Sequence, residues 1–453
     1  MKILVLSGSP KGENSITLQY VRFVSRHFPE KEFVVRHIGR DIGKIEANPE
    51  VFGEIVADIK AADGILWAFP VYHYSVPSQL KRFVELAFEK SPAAFEGKYA
   101  TALTTSVHFY DHTAHSYINA VSCDLGMQYA DGFSADMDDL MDEGKRDLLL
   151  KFFRLFFEIV EKRRPAEVRF PRVQREMPEY VPTDLPATAG DAGRKIVLVT
   201  DAEAQDVNLN RMIESFRKLA GNVDLVNLHQ VKINGGCLGC IRCSCDNICV
   251  YRDGFREAFD RIMAADAIVY AGAIKDRSLS ARWKMFFDRT FFINHARATE
   301  GLKHIGYIVS GPLSAIPDLR QELEARVIAG NNDLQGFVTD ESGDSARTTA
   351  MLQDLADRMR WGAAEGFSRP ANFLGVSSHM IFRDLVYRMS GVFGADYRYY
   401  KKHHLFDYPQ KDYRARLRNF CLRNLMRIPK VRKEFYGRGA TQMASPYKKI
   451  AGE

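Results

Sequence analysis

Short, continuous apolar runs alternate along this chain with longer stretches whose apolar residues recur every third or fourth position. The first run, "KILVLSGS" from Lys2, leads into a segment that puts Tyr20, Val21, Val24 and Phe28 on one helical face. "EFVVRHI" and "YATALTT" follow at intervals, and "VDLVNLH" and "HIGYIVS" play the same parts further along. Runs without polar alternation belong to strands buried on both faces, and strand–helix alternation of this kind builds a parallel sheet wrapped by helices.

The pattern occurs twice. "KILVLSGS" at Lys2 returns as "KIVLVTDA" at Lys195, 193 positions on. "IKAADGILWAFPVYHYSVPSQLKRFVE" (59–85) returns as "IMAADAIVYAGAIKDRSLSARWKMFFD" (262–288), 203 positions on, with Lys81 aligned to Lys284. The shared "AAD" before an apolar strand favours duplication over the chance likeness of two α/β halves. The expected fold class is therefore α/β, two doubly wound parallel-sheet domains in tandem. Between them, "PRVQREMPEYVPTDLPATAGDAGR" (171–194) has four prolines and little periodicity, which predicts a linker. The segment before it, "RDLLLKFFRLFFEIVEKRR", has the stripe of an amphipathic helix. Packing on the first sheet is the commoner use of such a stripe, and lying on a membrane the rarer one.

Composition changes the picture only in part. With 453 residues, 46% hydrophobic and 26% charged, the chain is long enough for two cores and is not disordered. No run reaches the length of a membrane span, and the opening apolar run is too short for a secretory signal, so a cytoplasmic location is expected. In that compartment thiols stay reduced, and five of the seven cysteines fall within "GGCLGCIRCSCDNICV" (235–250). Crowded thiols there indicate metal or redox chemistry rather than disulfides.

The first strand runs into "SGSPKGENSIT", a hydroxyl- and glycine-rich turn opening a helix, which suits a phosphate but matches neither a Walker loop nor a dinucleotide fingerprint. Together with "PVYHYSVPSQLKRF" after the third strand, it resembles the NADPH-dependent FMN reductase family, whose fold is flavodoxin-like. That resemblance implies FMN, with its phosphate held by Ser9, Lys11, Asn14, Ser15 and Thr17 and its ring lined by Pro70, Val71, Tyr72, His73 and Tyr74. The loop "TTSVHFYDH" (104–112) stands where the family completes the flavin site, implying Thr105 and Ser106, although the family's usual glycines are missing. NAD(P)H as electron donor rests on the resemblance alone. His108, His112 and His115 follow closely, either as loop residues or as proton donors.

The second copy departs from this pattern. Asp201, Glu203 and Asp206 replace the phosphate loop, and Ala273, Ile274 and Lys275 stand where Pro70, Val71 and Tyr72 do. Carboxylates repel a phosphate, so the second half is expected to have lost its flavin. It carries the cysteine loop instead. Cys237, Cys240, Cys243 and Cys249 give C-x2-C-x2-C-x5-C, with Cys245 as a fifth candidate. Successive x2 spacings suit the tight wrapping of a [4Fe–4S] cluster better than a zinc site, which usually splits two pairs across a longer spacer. Iron–sulfur flavoproteins of the same superfamily carry a similar loop, and there the cluster of one subunit faces the flavin of another. The spacing leaves open which of Cys243, Cys245 and Cys249 ligate. Cys123 and Cys421 stand alone, as ordinary apolar residues do.

The expected organisation is a flavodoxin-like FMN-binding domain (1–170), a linker (171–194), a degenerate flavodoxin-like domain with the cysteine cluster (195–370) and a basic, aromatic C-terminal extension (371–453). From Asp396 to Glu453 there are 15 Lys and Arg against 5 Asp and Glu, while the whole chain is only +6. Such a segment suits a strap docked on an acidic face of this chain or of a partner subunit, a surface for an acidic partner such as a ferredoxin or for anionic lipid, or nucleic acid. Nucleic acid is excluded for want of any recognition motif. The expected function is an oxidoreductase using FMN and an iron–sulfur cluster, passing electrons between NAD(P)H or a reduced carrier and an acceptor, in a homo-oligomer. An electron carrier without a substrate of its own and a zinc-stabilised scaffold are the alternatives.

Overall fold

The computed structural model describes residues 1–174, 176–183, 195–293 and 302–435. The first sheet contains β1 (Lys2–Ser7), β2 (Glu32–Arg36), β3 (Gly64–Pro70), β4 (Tyr99–Ser106) and β5 (Gln128–Asp136). All its pairings are parallel and the order is β2-β1-β3-β4-β5. Its helices are α1 (Ile16–His27), α2 (Ile38–Ala47), α3 (Pro49–Ala61), α4 (Ser78–Lys90), α5 (Asp111–Asp124) and α6 (Glu143–Glu161).

The second sheet contains β6 (Ile196–Thr200), β7 (Val223–Asn227), β8 (Ala267–Ala273), β9 (His304–Ser310) and β10 (Asp333–Thr339). Its order, β10-β9-β8-β6-β7, is the same winding read from the opposite edge, again all parallel. Helices α7 (Val207–Ala220), α8 (Phe255–Met263), α9 (Ala281–Arg289), α10 (Pro317–Ala329) and α11 (Ser345–Glu365) belong to it, and α12 (Phe373–Arg388) follows. Two tandem flavodoxin-like sheets are what the repeated pattern predicts.

Each strand feeds two cores. Leu4 and Leu6 of β1 pack with Trp67 and Phe69 under α2 to α5, while Ile3 and Val5 face α1 and α6. The α6 stripe is spent on this second layer: Leu149, Phe153, Phe156, Phe157 and Val160 are buried against the sheet, each worth roughly 1.5–3 kcal/mol.

The segment between the halves is more than a tether where it is described. Tyr180 is 2% exposed in the second core; its hydroxyl bonds Ser215 and Thr349, both at 3.0 Å, and its N–H donates to Asn208 at 2.9 Å. Residue 175 and residues 184–194 of the expected linker lie outside the described residues.

The chain divides into two compact units, Met1–Tyr397 and Arg398–Glu453. Helix α12 falls in the first, although the sequence placed it with the extension. It packs against α10, and Phe382, Leu385 and Val386 are buried. The second unit contains α13 (Tyr413–Leu425), none of whose residues is buried. Among the described residues no helix is long and apolar enough to cross a membrane.

Candidate active site

The two halves meet through the repeated helices, α4 against α9. The contact is nearly symmetric. Lys81 of α4 bonds Glu85 one turn on, at 2.8 Å, and Asp276 of the other half at 2.9 Å; Lys284 of α9 bonds Asp288 one turn on and the His73 carbonyl of the other half at 3.1 Å. Each acidic residue in turn caps the facing helix: Glu85 accepts from the Ala281 N–H at 2.6 Å, Asp288 from the Ser78 N–H at 2.9 Å. Tyr117 adds its hydroxyl to Asp276 at 2.9 Å. All four charged groups of the two turns are buried; Asp288 pairs with Lys284, and Glu85 with Lys81 and, at 3.0 Å, with Arg82.

This packing carries the cysteine loop of the second half onto the C-terminal ends of β1, β3 and β4, where sheets of this winding bind ligands. A cleft opens there. Ser9, Lys11, Ser15, Pro70, Val71, Tyr72, Thr105 and Ser106 line it from the first half, and Cys237, Gly239 and Ile241 from the second. Phe109, Met137 and the α12 side with Phe382, Leu385, Met389 and Phe393 complete an apolar wall. Ser15 caps α1 by accepting from the Leu18 N–H at 3.3 Å, and the N–H groups of Ile16 and Thr17 have no partner among the described residues. The floor of the cleft is thus a helix N-terminus with free donors and a lysine beside it.

Glycines seat the loop. Gly239 is in the left-handed region at φ +59°, and a Cβ on it would overlap the Tyr72 ring; a Cβ on Gly236 would overlap the Ser78 hydroxyl. Gln79 of α4 donates to the Cys237 carbonyl at 3.2 Å, and Ser244 donates to the Val392 carbonyl at 2.6 Å. The loop is therefore clamped between α4 and the residues after α12. Its charges are felt in the cleft. Burial pushes both Cys237 and Cys243 up to about 12, and neighbouring thiols reinforce this. Burial lowers Lys11, against the pull of Cys237 and Cys240.

Other residues expected at the site turn elsewhere. Asn14 is exposed and outside the cleft, and the Thr17 hydroxyl is used on Thr105 at 2.6 Å. His73 and Tyr74 face the second half: the His73 ring meets the Phe287 carbonyl at 3.2 Å, the Tyr74 hydroxyl donates to the Ala325 carbonyl at 3.2 Å, and Arg326 lies 4.3 Å over the Tyr74 ring. This loop thus turns Pro70 to Tyr72 to the cleft and His73 and Tyr74 to the second half, with Tyr74 in the left-handed region at φ +68°. His108 pairs with Asp111 at 2.8 Å and His115 with Thr104 at 2.8 Å; neither they nor His112 line the cleft.

In the second half the equivalent space is closed by its own charges. Lys275, aligned with Tyr72, bonds Asp206 of the aligned first loop at 2.6 Å, and Asp201 bonds Ser280. An internal ion pair thus stands where the first half keeps an open floor of hydroxyls, helix amides and Lys11.

Residues 1–137 match the NADPH-dependent FMN reductase family. The match spans the first sheet and all the first-half residues of the cleft. A curated relative, the FMN-dependent NADH:quinone oxidoreductase of Vibrio vulnificus (strain YJ016), is 27% identical over 133 residues, covering 23% of this chain and 68% of the relative. Among solved structures, the flavoenzyme NAD(P)H:(acceptor) oxidoreductase FerB from Paracoccus denitrificans is similar at 20% identity, with a TM-score of 0.31, over 36% of this chain and 97% of that one. The apo NADH:FMN oxidoreductase EMOB is similar at 21% identity, with a TM-score of 0.30, over 34% and 87%.

The reductase-like half fits FMN on its own features. Its floor offers unpaired helix amides, hydroxyls of Ser9 and Ser15 and the Lys11 ammonium, and the buried Tyr72 hydroxyl has no well-formed hydrogen bond, only Ser9 approaching it. The cysteine loop fits a metal cluster by donor chemistry but not yet by placement. None of its cysteines is in a disulfide, yet among the described residues no three His, Cys, Asp or Glu side chains converge as a metal site. The sequence expected Cys237, Cys240, Cys243 and Cys249 as a ligand set. Here Cys243 is buried, Cys240 is exposed and Cys237 and Cys249 lie between, and Cys240 lies near enough to act electrostatically on both Cys237 and Cys243. What the sequence did not reveal is that Cys237 also lines the flavin-type cleft, or that α12 does. The spacing of Phe382, Leu385 and Met389 was the available signal for α12.

Proposed function

We propose that this chain is an FMN-dependent NAD(P)H oxidoreductase whose cysteine loop holds an iron–sulfur cluster beside the flavin. The observation that carries the reading is one cleft lined jointly by the phosphate-type loop of the first half and by Cys237 of the second. When bound, FMN takes two electrons as hydride and can release them singly, which is the currency an iron–sulfur cluster handles. The residues divide the labour. Ser9, Ser15, Lys11 and the first amides of α1 would hold the phosphate; Pro70, Val71, Tyr72, Thr105 and Ser106 would line the ring. Ile241, Phe109, Phe382, Leu385, Met389 and Phe393 exclude water from the cleft. Fusion supplies in one chain the pairing that two subunits would otherwise make. A homo-oligomer is a separate expectation that this pairing does not require.

The electron partner on this reading is a small molecule or a ferredoxin-like carrier, and seven cysteines outside any disulfide support a reducing compartment such as the cytoplasm. Anaerobic purification with counts of flavin, iron, sulfide and zinc, followed by turnover with NADH or NADPH and a quinone, tests it. One FMN with iron and sulfide, and acceptor reduction at the expense of NAD(P)H, is the expected result. Stoichiometric zinc without iron, or a flavin-free protein, overturns the corresponding half of the proposal.

A further inference from the structure

The unit Arg398–Glu453 has a composition unlike the rest of the chain, with 15 Lys and Arg against 4 Asp and Glu. Its helix α13 is capped by Asp412, which accepts from the Ala415 N–H at 2.9 Å. The helix buries nothing. Tyr413 is 73% exposed, Leu417 66% and Phe420 61%. At spacings of four and three residues these side chains form one stripe along the helix. Arg414 and Arg418 border it on one side, Arg416 and Arg423 on the other, and none of the four has a carboxylate partner among the described residues. Just past the helix, Ile428 is exposed between Arg427 and Lys430.

We infer that α13 docks this protein on an anionic lipid surface. Water-exposed Leu and Phe in a row cost free energy that only an apolar environment recovers. The arginine flanks decide which environment. Guanidinium groups on both sides of a narrow apolar stripe reach phosphates at headgroup level while the stripe sinks between the acyl chains, and their aliphatic stems can lie along the boundary. A nucleic acid would engage the arginines and leave Leu417 and Phe420 in water. An acidic protein face would pair the arginines but leave Leu417 and Phe420 between them without an apolar partner. This inference stands apart from the redox reading and needs no cofactor.

The test is co-sedimentation of the full-length protein, as purified, with vesicles of phosphatidylcholine alone and of phosphatidylcholine with phosphatidylglycerol. The protein is expected in the pellet only with phosphatidylglycerol, and increasingly in the supernatant as salt rises. Leu417→Asp with Phe420→Asp is expected to weaken partitioning at least about tenfold, and Arg414→Gln with Arg418→Gln to weaken it more at low salt than at high. The second pair keeps the apolar stripe and so reports even where the first disturbs the helix. Wild-type protein left in the supernatant with anionic vesicles overturns the inference. So does vesicle binding untouched by both pairs, or binding to duplex RNA or an acidic protein that outcompetes the vesicles.

Discussion

Gly239 of the second half lies against the ring of Tyr72 of the first, so closely that any side chain on Gly239 would occupy the ring's place. The contact joins the cysteine loop to the wall of the cleft, and it exists only because residue 239 lacks a Cβ. Gly239→Ala also has to hold φ near +59°, which costs an L-residue about 1–2 kcal/mol. We expect it to lower stability by that amount or more and to weaken FMN binding in a fluorescence titration. Gly43→Ala on α2, where nothing lies within 4 Å, is the control and should leave flavin affinity unchanged.

Ser15→Asp separates capping from phosphate binding. Aspartate caps a helix as well as serine does, so α1 and the fold should persist within about 0.5 kcal/mol. Its carboxylate on the floor of the cleft opposes a phosphate, and FMN affinity is expected to fall at least about tenfold by equilibrium dialysis. Unchanged affinity would move the flavin elsewhere.

Cys237→Ala with Cys240→Ala should remove iron from anaerobically prepared protein while FMN stays bound. Because Cys237 also lines the cleft, the flavin absorption band should shift slightly; Cys123→Ala, remote from the loop, should change neither metal nor spectrum. Full iron in the double variant would assign the metal to other residues.

The buried turn pairs predict unequal stability losses. Lys81→Met strips a partner from two buried carboxylates, Glu85 and Asp276, whereas Lys284→Met strips one, Asp288. Uncompensated buried charge costs about 3–5 kcal/mol where a pair is broken, so both variants should be less stable in urea, Lys81→Met the more so. Asp276→Asn added to Lys81→Met should recover part of the loss, because it removes the stranded charge, whereas Glu85 keeps Arg82 at 3.0 Å.

The alternation of apolar runs and helical stripes was enough to give two parallel sheets wrapped by helices, and the 193-residue echo of Lys2 at Lys195 was enough to give their duplication, because burial on two faces writes itself into each strand locally; the strand order came only with the family resemblance. The phosphate-type loop was legible for the same reason: Ser9, Lys11 and Ser15 follow their strand within one turn. His73 and Tyr74 were not separable from Tyr72 by sequence, since only the folded loop, with Tyr74 at φ +68°, turns them to the second half. Nor could any local pattern place Cys237 in the cleft of the other half, or bring α12 from the presumed extension to wall it. Those placements depend on α4 meeting α9 through buried charges contributed from residues some 200 positions apart, and on two glycines letting a loop approach. Sequence periodicity fixes what each segment must bury; which segment buries it, when the partner is another half of the chain, is decided only where the surfaces meet.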